Sequence, residues 1–282
     1  MKQPSVAIVG FGAVGRGIRQ LFPDAVAYDP PQGMGTREEV NACQFAMVAV
    51  PTPSLPDGSA DVSIVEEAVG WIECKHIVLR STVPVGTTDR LRRQTGKAIV
   101  FQPEYGPAST PDHPFNDPRK IRWVILGGER GDTIPVADLY KTTFNSDIRI
   151  HQTDSRTAEL TKYMENCFLA LKVTFCNEFY DLAGVFGVDY NELRELWLLD
   201  PRVGRSHTFV FPSDRGFGGG CLPKDLRAVI SAARSAGHEP TLLEQVLATN
   251  RRLRQGDTQE NREAQQQGES GAASVRTGAP EA

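Results

Sequence analysis

The 282-residue sequence contains no apolar run that approaches the length of a membrane span. Its first residues also lack the charged segment and the long apolar segment that together mark a secretory signal. No stripe of basic residues is present, and the formal net charge of −4 does not favour a polyanionic partner. We therefore expect a cytoplasmic protein that binds neither nucleic acid nor a membrane.

Cysteine is scarce, and no two cysteines form a CxxC pair. A disulfide framework needs an even set of cysteines, and a structural zinc site needs closely spaced ligands. The sequence therefore predicts a reduced protein without a structural metal. The five scattered cysteines are Cys43, Cys74, Cys167, Cys176 and Cys221.

The N-terminal segment has the pattern of a dinucleotide-binding unit. A short apolar run over residues 6–9 predicts a strand that is buried on both faces, and residues 13–21 predict a helix. Glycines between such a strand and helix permit a tight turn and bring a pyrophosphate close to the amides of the helix N-terminus. The turn here is a GxGxxG, formed by Gly10, Phe11, Gly12, Ala13, Val14 and Gly15.

Asp29 ends the second apolar run, nineteen residues after Gly10. A carboxylate at this position accepts hydrogen bonds from ribose hydroxyls and repels a 2′-phosphate. We therefore expect NAD rather than NADP as the cofactor. The alternative is a glycine-rich turn that binds no ligand.

Further apolar runs alternate with helical segments up to about residue 153. This alternation predicts an α/β domain over residues 1–153, with a Rossmann-type doubly wound parallel sheet. Ligands bind outside the carboxyl ends of the strands in such sheets, although proline and threonine are also common in ordinary turns. We assign cofactor contacts to residues that follow the third and fourth strands, which are Val50, Pro51, Thr52, Ser81 and Thr82.

Residues 154–254 predict an all-helical central domain. Its longest helix covers about residues 155–183, and shorter helices cover about 190–199, 226–236 and 241–253. An apolar stripe on the long helix predicts burial on more than one side. The stripe consists of Leu160, Met164, Cys167, Leu171 and Phe175, and is widened by Tyr163 and Phe168.

Lys162 and Asn166 lie four residues apart on the same helix, on a face largely away from that stripe. Taken alone, the pair predicts a solvated helix face. Residues 255–282 are polar, with almost no apolar residue, and predict a disordered tail.

The most distinctive stretch is Phe217-Gly218-Gly219-Gly220-Cys221-Leu222-Pro223-Lys224-Asp225. Its three glycines let a ligand approach the backbone closely. A thiolate beside a cation or a helix N-terminus is a strong nucleophile, which is one interpretation of Cys221. The other is a small buried hydrophobic residue next to a glycine turn, as most free cysteines are.

Together these motifs resemble the UDP-glucose/GDP-mannose dehydrogenase family over about residues 5–255. The resemblance rests on GFGAVG, VPTPSLPDGSAD, STVPVGTT, PEY, AELTKYMENCFLALKVTFCNE, DPRVG and GFGGGCLPKD. It implies the oxidation of a sugar primary alcohol to a carboxylate with two NAD. It also implies that Cys221 traps an intermediate aldehyde as a thiohemiacetal, which becomes a thioester and is then hydrolysed by water.

The resemblance implies roles for further residues. Lys162 and Asn166 would stabilise the alkoxide and the later oxyanions. Asp225 would act as a base or hold a base water, and Thr82 would help to position that water. Glu104 matches the acid of the family's PE(F/Y) loop, so it would be catalytic as well as contact the substrate. The other implied contacts are those of Tyr105, Arg202, Phe217 and Gly218 with the substrate, of Lys224 with the cofactor, and of Arg202 across a dimer.

Two departures from the family pattern bear on the reaction. The family's second glutamate, four residues after the first, is Ala108 in this sequence, and Asp112 and His113 are candidates to replace it. The family also continues into another α/β domain where this sequence turns polar, at about residue 255. We therefore expect a short member of the family that forms a homodimer through residues 155–183.

Three functions remain open from the sequence. The first is an NAD-dependent oxidation of a nucleotide sugar, or of a related nucleotide, from alcohol to acid. The second is a two-electron dehydrogenase of the same broad architecture that stops at the aldehyde. The third is a non-catalytic NAD-binding subunit, which would have no physical need to keep Cys221, Lys162, Asn166 and Asp225 together.

Overall fold

Short apolar segments form the strands of the sheet, as the sequence predicts, except for the last strand, which is exposed and mostly polar. The structure is a computed structural model that describes residues 4–106, 117–144 and 148–255; the position of Ala108, its two candidate replacements and residues 256–282 of the predicted tail lie outside these ranges. In the described chain the strands are β1 (Val6–Val9), β2 (Val26–Tyr28), β3 (Phe45–Val48), β4 (His76–Leu79), β5 (Ile99–Phe101), β6 (Trp123–Gly127) and β7 (Arg149–Thr153).

The seven strands form one sheet in the order β2-β1-β3-β4-β5-β6-β7. Neighbouring strands are parallel, except that β5 and β6 are antiparallel. The strand order reverses beside β1, which creates the crevice where doubly wound sheets bind ligands. The predicted α/β fold class is thus confirmed, with one antiparallel pair that the sequence did not indicate.

Helices connect the strands and continue after the sheet ends. Within the described residues they are α1 (Ala13–Leu21), α2 (Arg37–Asn41), α3 (Ser63–Trp71), α4 (Thr87–Thr95), α5 (Arg130–Thr143), α6 (Ser155–Val185), α7 (Tyr190–Trp197), α8 (Leu222–Ser235) and α9 over 241–255. No helix of the described chain is long and apolar enough to cross a lipid bilayer.

The two faces of the sheet pack against different helices. Ala7 and Val9 of β1 face one core, which α3 and α4 cover, whereas Val6 and Ile8 face a second core, which α1 and α5 cover. This alternation follows from the period of two along a strand. Both faces of the central strands are therefore shielded from water, and only the ends of these strands are accessible to ligands.

The chain divides into two compact units. The first contains Met1–Asn166 and Arg227–Glu239, and the second contains Cys167–Leu226 and Pro240–Ala282. The long helix α6 begins in the first unit and ends in the second. The expected domain boundary after residue 153 coincides with the end of β7 and stays a prediction.

Helix α8 begins at Leu222, earlier than the expected start at about residue 226. The expected start left Pro223 outside the helix, whereas the structure places it in the first turn. Proline is accepted in the first turn of a helix, because the amide it lacks would have no intrahelical partner there. The earlier start places Cys221 directly before the helix.

In the single chain most members of the apolar stripe on α6 are exposed, and their expected burial stays a prediction. Met164 is 75% exposed and Phe168 is 56% exposed, whereas Glu159, Lys162 and Asn166 are buried. The helix therefore turns polar side chains inwards and leaves large apolar side chains on its surface. Hydrophobic spacing alone does not reveal this orientation.

Glu159 explains part of this orientation. Its carboxylate accepts hydrogen bonds from the amides of Gly86 and Thr88 and from the Thr88 hydroxyl, at the N-terminus of α4. A carboxylate there satisfies amides that have no intrahelical partner and interacts favourably with the helix dipole. Burial nevertheless raises the pKa of the Glu159 carboxyl above its ordinary 4.5, against the opposing effect of these donors.

We predict that Glu159→Ala lowers the free energy of unfolding by about 2–4 kcal/mol, because two buried amides lose their acceptor. The folded pKa lies above the unfolded one, so the protonated carboxyl favours folding at low pH. The difference between the wild type and the variant should therefore be largest below pH 4.5 and shrink as the pH rises through the folded pKa. Urea denaturation at a series of pH values measures it.

The matched control is Glu178→Ala on the same helix, where the side chain is exposed. Its free energy of unfolding should stay within about 0.5 kcal/mol of the wild type at every pH. Equal stability of the two variants would contradict the role of Glu159.

Candidate active site

The glycine turn between β1 and α1 has the geometry of a dinucleotide cradle. Gly10 has a φ of +91°, and a Cβ there would stand 2.5 Å from the carbonyl oxygen of Ala49. A Cβ on Gly15 would stand 2.2 Å from the carbonyl oxygen of Gly10. These two glycines are required by the fold itself, because a side chain at either would collide with backbone.

Gly12 is not required by the packing of the fold. No atom lies within 4 Å of the position that its Cβ would take, and it directly precedes α1. The first turn of α1, which begins with Ala13 and Val14, contains no acidic residue and no side-chain cap. Its amides are thus available to the pyrophosphate of a dinucleotide, and the residues present fit NAD.

Asp29 is bound to the same turn. Its Oδ2 accepts a hydrogen bond from the Phe11 amide at 2.7 Å and another from the Gln32 side chain at 2.9 Å. The Gln32 amide group also donates to the Phe11 carbonyl, at 3.2 Å. Asp29, which is expected to bind the ribose, is therefore held beside the glycine turn. Gln32 helps to hold it there, and the sequence reasoning missed this residue.

The loops after β3 and β4 are tied to one another. Thr52 Oγ1 donates to the Thr82 carbonyl at 2.9 Å, and Ser81 Oγ donates to the Val50 carbonyl at 2.7 Å. Pro51 lies between the two bonded positions of the first loop and is exposed. The structure thus brings the predicted cofactor residues of both loops together at one edge of the sheet.

Glu104 follows β5, and both oxygens of its carboxylate are engaged. Oε1 accepts the amides of Tyr105 and Gly106 at 2.9 and 2.7 Å, and Oε2 pairs with the buried guanidinium of Arg80. Arg80 also donates to the Tyr140 hydroxyl at 3.3 Å. The sequence reasoning missed Arg80, although a basic residue that ends a buried strand, directly before Ser81, is a signal that could have revealed it.

The Tyr105 ring lies near the side chains of Lys162 and Trp123. Its centroid is 5.2 Å from Lys162 Nζ and 6.0 Å from the Trp123 ring. Burial raises the pKa of the Tyr105 hydroxyl to about 12, and the carboxylates of Glu165 and Glu104 add to this shift. Tyr105 is therefore neutral at physiological pH and offers its ring face to the ammonium group.

Lys162 and Asn166 are buried, at 8% and 5% exposure. Lys162 Nζ donates to Asn166 Oδ1 at 3.2 Å, which holds both groups on one face of α6. The solvated face that the pair predicts when taken alone is wrong.

Cys221 differs from the other four cysteines, because it alone is exposed. The alternative of a small buried hydrophobic residue therefore does not hold for it. The remaining thiols are neutral at physiological pH because burial raises their pKa. This applies to Cys43, to Cys74 with a pKa of about 11, to Cys167 with a pKa of about 12, and to Cys176.

Cys221 occupies the N-cap of α8. Its carbonyl accepts the Asp225 amide at 2.9 Å, which is the first hydrogen bond of the helix. Within the same turn Lys224 Nζ donates to Asp225 Oδ1 at 2.6 Å, and the Asp225 side chain is buried.

The loop before Cys221 is held by two asparagines of the second unit. Asn250 accepts the Phe217 amide at 2.7 Å and donates to the Phe217 carbonyl at 2.9 Å. Asn177 accepts from the Arg215 side chain at 2.7 Å and from the Gly216 amide at 3.1 Å. Because the Phe217 side chain is also buried, this residue fixes the loop from within.

Two further expected substrate contacts lie on the surface of the second unit. Gly218 is exposed, and a Cβ on it would stand 3.3 Å from the guanidinium of Arg254. The Arg202 side chain is 88% exposed and is folded onto its neighbour Asp200, to which its Nε donates at 2.9 Å. An anionic ligand would have to replace that carboxylate.

Of the residues expected in the site, the first unit holds the dinucleotide turn with Asp29, the strand-end loops, Glu104, Tyr105, Lys162 and Asn166. The second unit holds the nucleophile candidate, the first turn of its helix and the loop that precedes it. Its members are Arg202, Phe217, Gly218, Cys221, Lys224 and Asp225.

Two family models match this chain, one for each of its two predicted domains. The family model of the UDP-glucose/GDP-mannose dehydrogenase NAD-binding domain matches residues 32–144, and that of the family's central domain matches residues 156–252. The chain therefore belongs to the UDP-glucose/GDP-mannose dehydrogenase family. It contains the NAD-binding domain of that family, and NAD is its cofactor.

Individual relatives are named for one activity. The chain is 32% identical over 231 residues to UDP-glucose 6-dehydrogenase from Pseudomonas aeruginosa, covering 75% of this chain and 49% of that protein. It is 33% identical over 224 residues to UDP-glucose 6-dehydrogenase from Rhizobium meliloti, covering 75% and 51%. The chain thus spans about half the length of the curated relatives that it matches.

A solved structure agrees with these relatives. The UDP-glucose dehydrogenase of the archaeon Pyrobaculum islandicum superposes with a TM-score of 0.74 at 28% identity. The match covers 88% of this chain and 68% of that chain.

The open position of Gly12 generates a prediction that separates binding from folding. Gly12→Val should weaken NAD binding by about 10²-fold or more, because the side chain fills the space that the pyrophosphate needs. The melting temperature should not change, since no protein atom lies near the added group. Quenching of intrinsic fluorescence by NAD, together with thermal unfolding, measures both quantities.

Two other glycines provide the comparison. Gly131→Val adds the same side chain at an open position near the start of α5 and should leave NAD binding intact. Gly10→Ala should instead destabilise the fold by about 2–4 kcal/mol through its collision with Ala49. If Gly12→Val bound NAD as tightly as Gly131→Val, the cradle would be misassigned.

Proposed function

We propose that this chain is an NAD-dependent dehydrogenase that oxidises the primary alcohol of a nucleotide sugar, or of a related nucleotide, to a carboxylate. The observation that carries the proposal is the exposed Cys221 at the N-terminus of α8, in a chain that also contains a dinucleotide-binding fold. The names of the relatives support the substrate class. Bound NAD supplies the hydride acceptor for each oxidation.

The residues of the first unit would act on the alcohol. The buried Lys162 ammonium and the Asn166 amide would stabilise the alkoxide oxygen as the proton leaves, and later the oxyanions formed at the same carbon. Tyr105 would keep the lysine in place through its neutral ring. Loss of the first hydride from the alkoxide gives an aldehyde.

Cys221 would then add to the aldehyde carbon. Its thiolate forms a C–S bond while the carbonyl oxygen takes a proton, which gives a thiohemiacetal. Loss of a second hydride and of that proton gives a thioester. Water attacks the thioester carbon, the C–S bond breaks, and the carboxylate leaves while the thiolate is regenerated.

Asp225 would orient or deprotonate the water for this hydrolysis. Its buried carboxylate is one helical turn after Cys221 and is held by Lys224. Thr82 would contribute to positioning the water from the loop after β4. This assigns Lys224 a second role, beside the cofactor contact that the sequence predicts.

Glu104 has a different role in this proposal. Its two oxygens already bind Arg80 and the amides of Tyr105 and Gly106. We therefore propose that Glu104 holds the turn at Tyr105 in place beside the substrate and does not transfer a proton. Arg80 supports it from within the sheet.

The two-electron alternative differs in the product. A dehydrogenase that stops at the aldehyde has no use for an exposed thiol at a helix N-terminus, so the position of Cys221 favours the four-electron reaction. A non-catalytic NAD-binding subunit would likewise not require a buried Lys162.

Cys221→Ser is the direct test. A serine hydroxyl is a far weaker nucleophile than a thiolate at neutral pH, so the second oxidation should fail while the first proceeds. With a UDP-sugar as substrate, the variant should release at most about one NADH per substrate and accumulate the aldehyde, where the wild type releases two and forms the carboxylate. NADH absorbance and product mass measure this.

Two variants accompany this experiment. Cys43→Ser makes the same substitution at a buried thiol and should keep the wild-type product. Lys162→Ala should slow both oxidations by about 10²–10³-fold. Carboxylate formation by Cys221→Ser at the wild-type rate would exclude the covalent mechanism.

We further propose that the chain forms a homodimer through α6. Its apolar face within the second unit carries Phe168, Phe175, Phe179 and Leu182, each at least 40% exposed. The Phe175 and Phe179 rings are 4.6 Å apart, and these positions recur at the three- and four-residue spacing of a coiled-coil seam. A second copy of the same helix would bury this face by two-fold symmetry.

Phe175→Asp should raise the dimer dissociation constant by about 10²-fold or more, because each copy would lose one buried aromatic side chain and bury a charge. Gln20→Glu adds a charge at an exposed position of α1 and should leave the dimer unchanged. Light scattering at micromolar concentration measures the mass. A wild-type chain that is monomeric under these conditions, yet fully active, would exclude the dimer.

A further inference from the structure

The chain that follows β2 folds back onto the glycine turn. Asp29 is followed by a single 3₁₀ turn (Pro30–Gln32), which ends at Gly33 in the left-handed conformation, with a φ of 66°. The two prolines fix their own φ angles, so this turn has little freedom before a ligand binds. The amide and the carbonyl of Asp29 also pair with Met34, at 2.9 and 3.1 Å. The Gln32 side chain is therefore returned to a fixed place beside Asp29.

Four residues meet at this place, and we call them the ribose-end cluster: Phe11, Arg16, Asp29 and Gln32. Gln32 Nε2 donates to Asp29 Oδ2 at 2.9 Å and to the Phe11 carbonyl at 3.2 Å. Arg16 Nη1 donates to the same carbonyl at 3.3 Å. Arg16 and Gln32 are exposed, and the other two residues are partly exposed. The cluster thus presents a carboxylate, an amide and a guanidinium to a ligand.

Asp29 provides the only negative charge of the two segments that build the ribose-end cluster. Residues 10–21 contain two charged residues, Arg16 and Arg19, and residues 25–36 contain Asp29 alone. The Arg19 guanidinium lies 5.9 Å from the centroid of the Phe11 ring. The surroundings of Asp29 are therefore basic, and within these two segments a second anion is opposed by one carboxylate only.

This charge balance bears on the choice between NAD and NADP. The two cofactors differ by a phosphate on the adenosine ribose, which is the group that a carboxylate in the position of Asp29 binds. Dinucleotide folds that accept NADP supply an arginine near this ribose. Arg16 and Gln32 already direct N–H donors towards the ribose-end cluster, where a neutral carbonyl accepts both. A phosphate is a stronger acceptor than a carbonyl, so it would compete for these donors.

We propose that the ribose-end cluster contains a site for a 2′-phosphate that the charge of Asp29 keeps closed. In the native chain, the Gln32 amide holds the carboxylate against Phe11, where it accepts ribose hydroxyls and repels a phosphate. Without that charge, Arg16 and Gln32 would bind the phosphate, and no added basic residue would be needed. The inference concerns cofactor binding alone and does not rest on the proposed reaction.

Asp29→Asn tests the proposal, because it removes the charge and keeps an oxygen that can accept the Phe11 amide. Quenching of intrinsic fluorescence measures the binding of NAD and of NADP without any substrate. The wild type should prefer NAD, and the variant should bind NADP at least about tenfold more tightly than the wild type does, since a neighbouring like charge is removed. Thermal unfolding checks that the variant is folded, and Asp29→Ser takes its place if it is not.

Two double variants separate the donors from the charge. Arg16→Gln and Gln32→Ala are each combined with Asp29→Asn. Each should bind NADP at least about tenfold more weakly than Asp29→Asn alone, through the loss of a hydrogen bond to a charged group. The loss of NAD affinity should be smaller, because NAD lacks the 2′-phosphate. The matched control combines Asp29→Asn with Arg93→Gln, which removes an exposed guanidinium from α4 of the same unit and should keep the gain in NADP affinity.

Four results would overturn the proposal. The first is a wild type that binds NADP as tightly as NAD, and the second is an Asp29→Asn variant that binds NADP no better than the wild type. The third is a variant without the Arg16 guanidinium that binds NADP as tightly as Asp29→Asn alone. The fourth is an equal loss of NADP affinity in the Arg93 control, which would assign the effect to net charge rather than to the ribose-end cluster.

Discussion

The orientation of α6 is the constraint on which the rest of the site depends. A helix with this composition is expected to bury its aromatic residues, yet it buries Glu159, Lys162 and Asn166. Polar groups are buried only where they find partners, because an unpaired one costs several times the net gain of a typical hydrogen bond. The Glu159 carboxylate finds these partners at the N-terminus of α4, and this sets the rotation of the helix. The same rotation places Lys162 beside Tyr105 and leaves the phenylalanines for another surface.

Side chains that bind backbone atoms organise the carboxyl ends of the strands. Asp29 accepts the Phe11 amide, Thr52 donates to the Thr82 carbonyl, and Glu104 accepts the amides of its own turn. Each bond joins two loops or two positions of one loop, so the loops are ordered before any ligand is present. Ligand binding then loses less conformational entropy, since the backbone that receives the pyrophosphate or the substrate is already in place. A rigid sheet edge of this kind suits a reaction in which hydride transfer needs close and repeatable positioning.

The sequence predicted which segments form strands better than it predicted which side of each element is buried. Short apolar runs predicted β1 to β6, because a strand buried on both sides has no other pattern, whereas the exposed β7, Arg-Ile-His-Gln-Thr, has no such run. The solvated face that Lys162 and Asn166 predict when taken alone is wrong, since apolar spacing shows that a face will be covered but not which chain covers it. Gln32 and Arg80 were missed because their partners are 21 and 24 residues away, and only the fold brings them together. The expected start of α8 was four residues late, although a proline is tolerated in the first turn of a helix.

The differing environments of the five thiols also bear on the chemistry. A buried thiol stays protonated, and burial holds the pKa of Cys74 at about 11 and of Cys167 at about 12, where the Asp225 carboxylate adds to the shift. The protein therefore contains a buried thiol that the same carboxylate keeps neutral, as well as the exposed thiol of Cys221 one helical turn before that carboxylate. In the proposed reaction an aldehyde would be attacked by a thiolate rather than by a thiol, so burial of the other four cysteines would leave Cys221 as the nucleophile. The selectivity would then follow from burial, without any difference in the intrinsic chemistry of the cysteines.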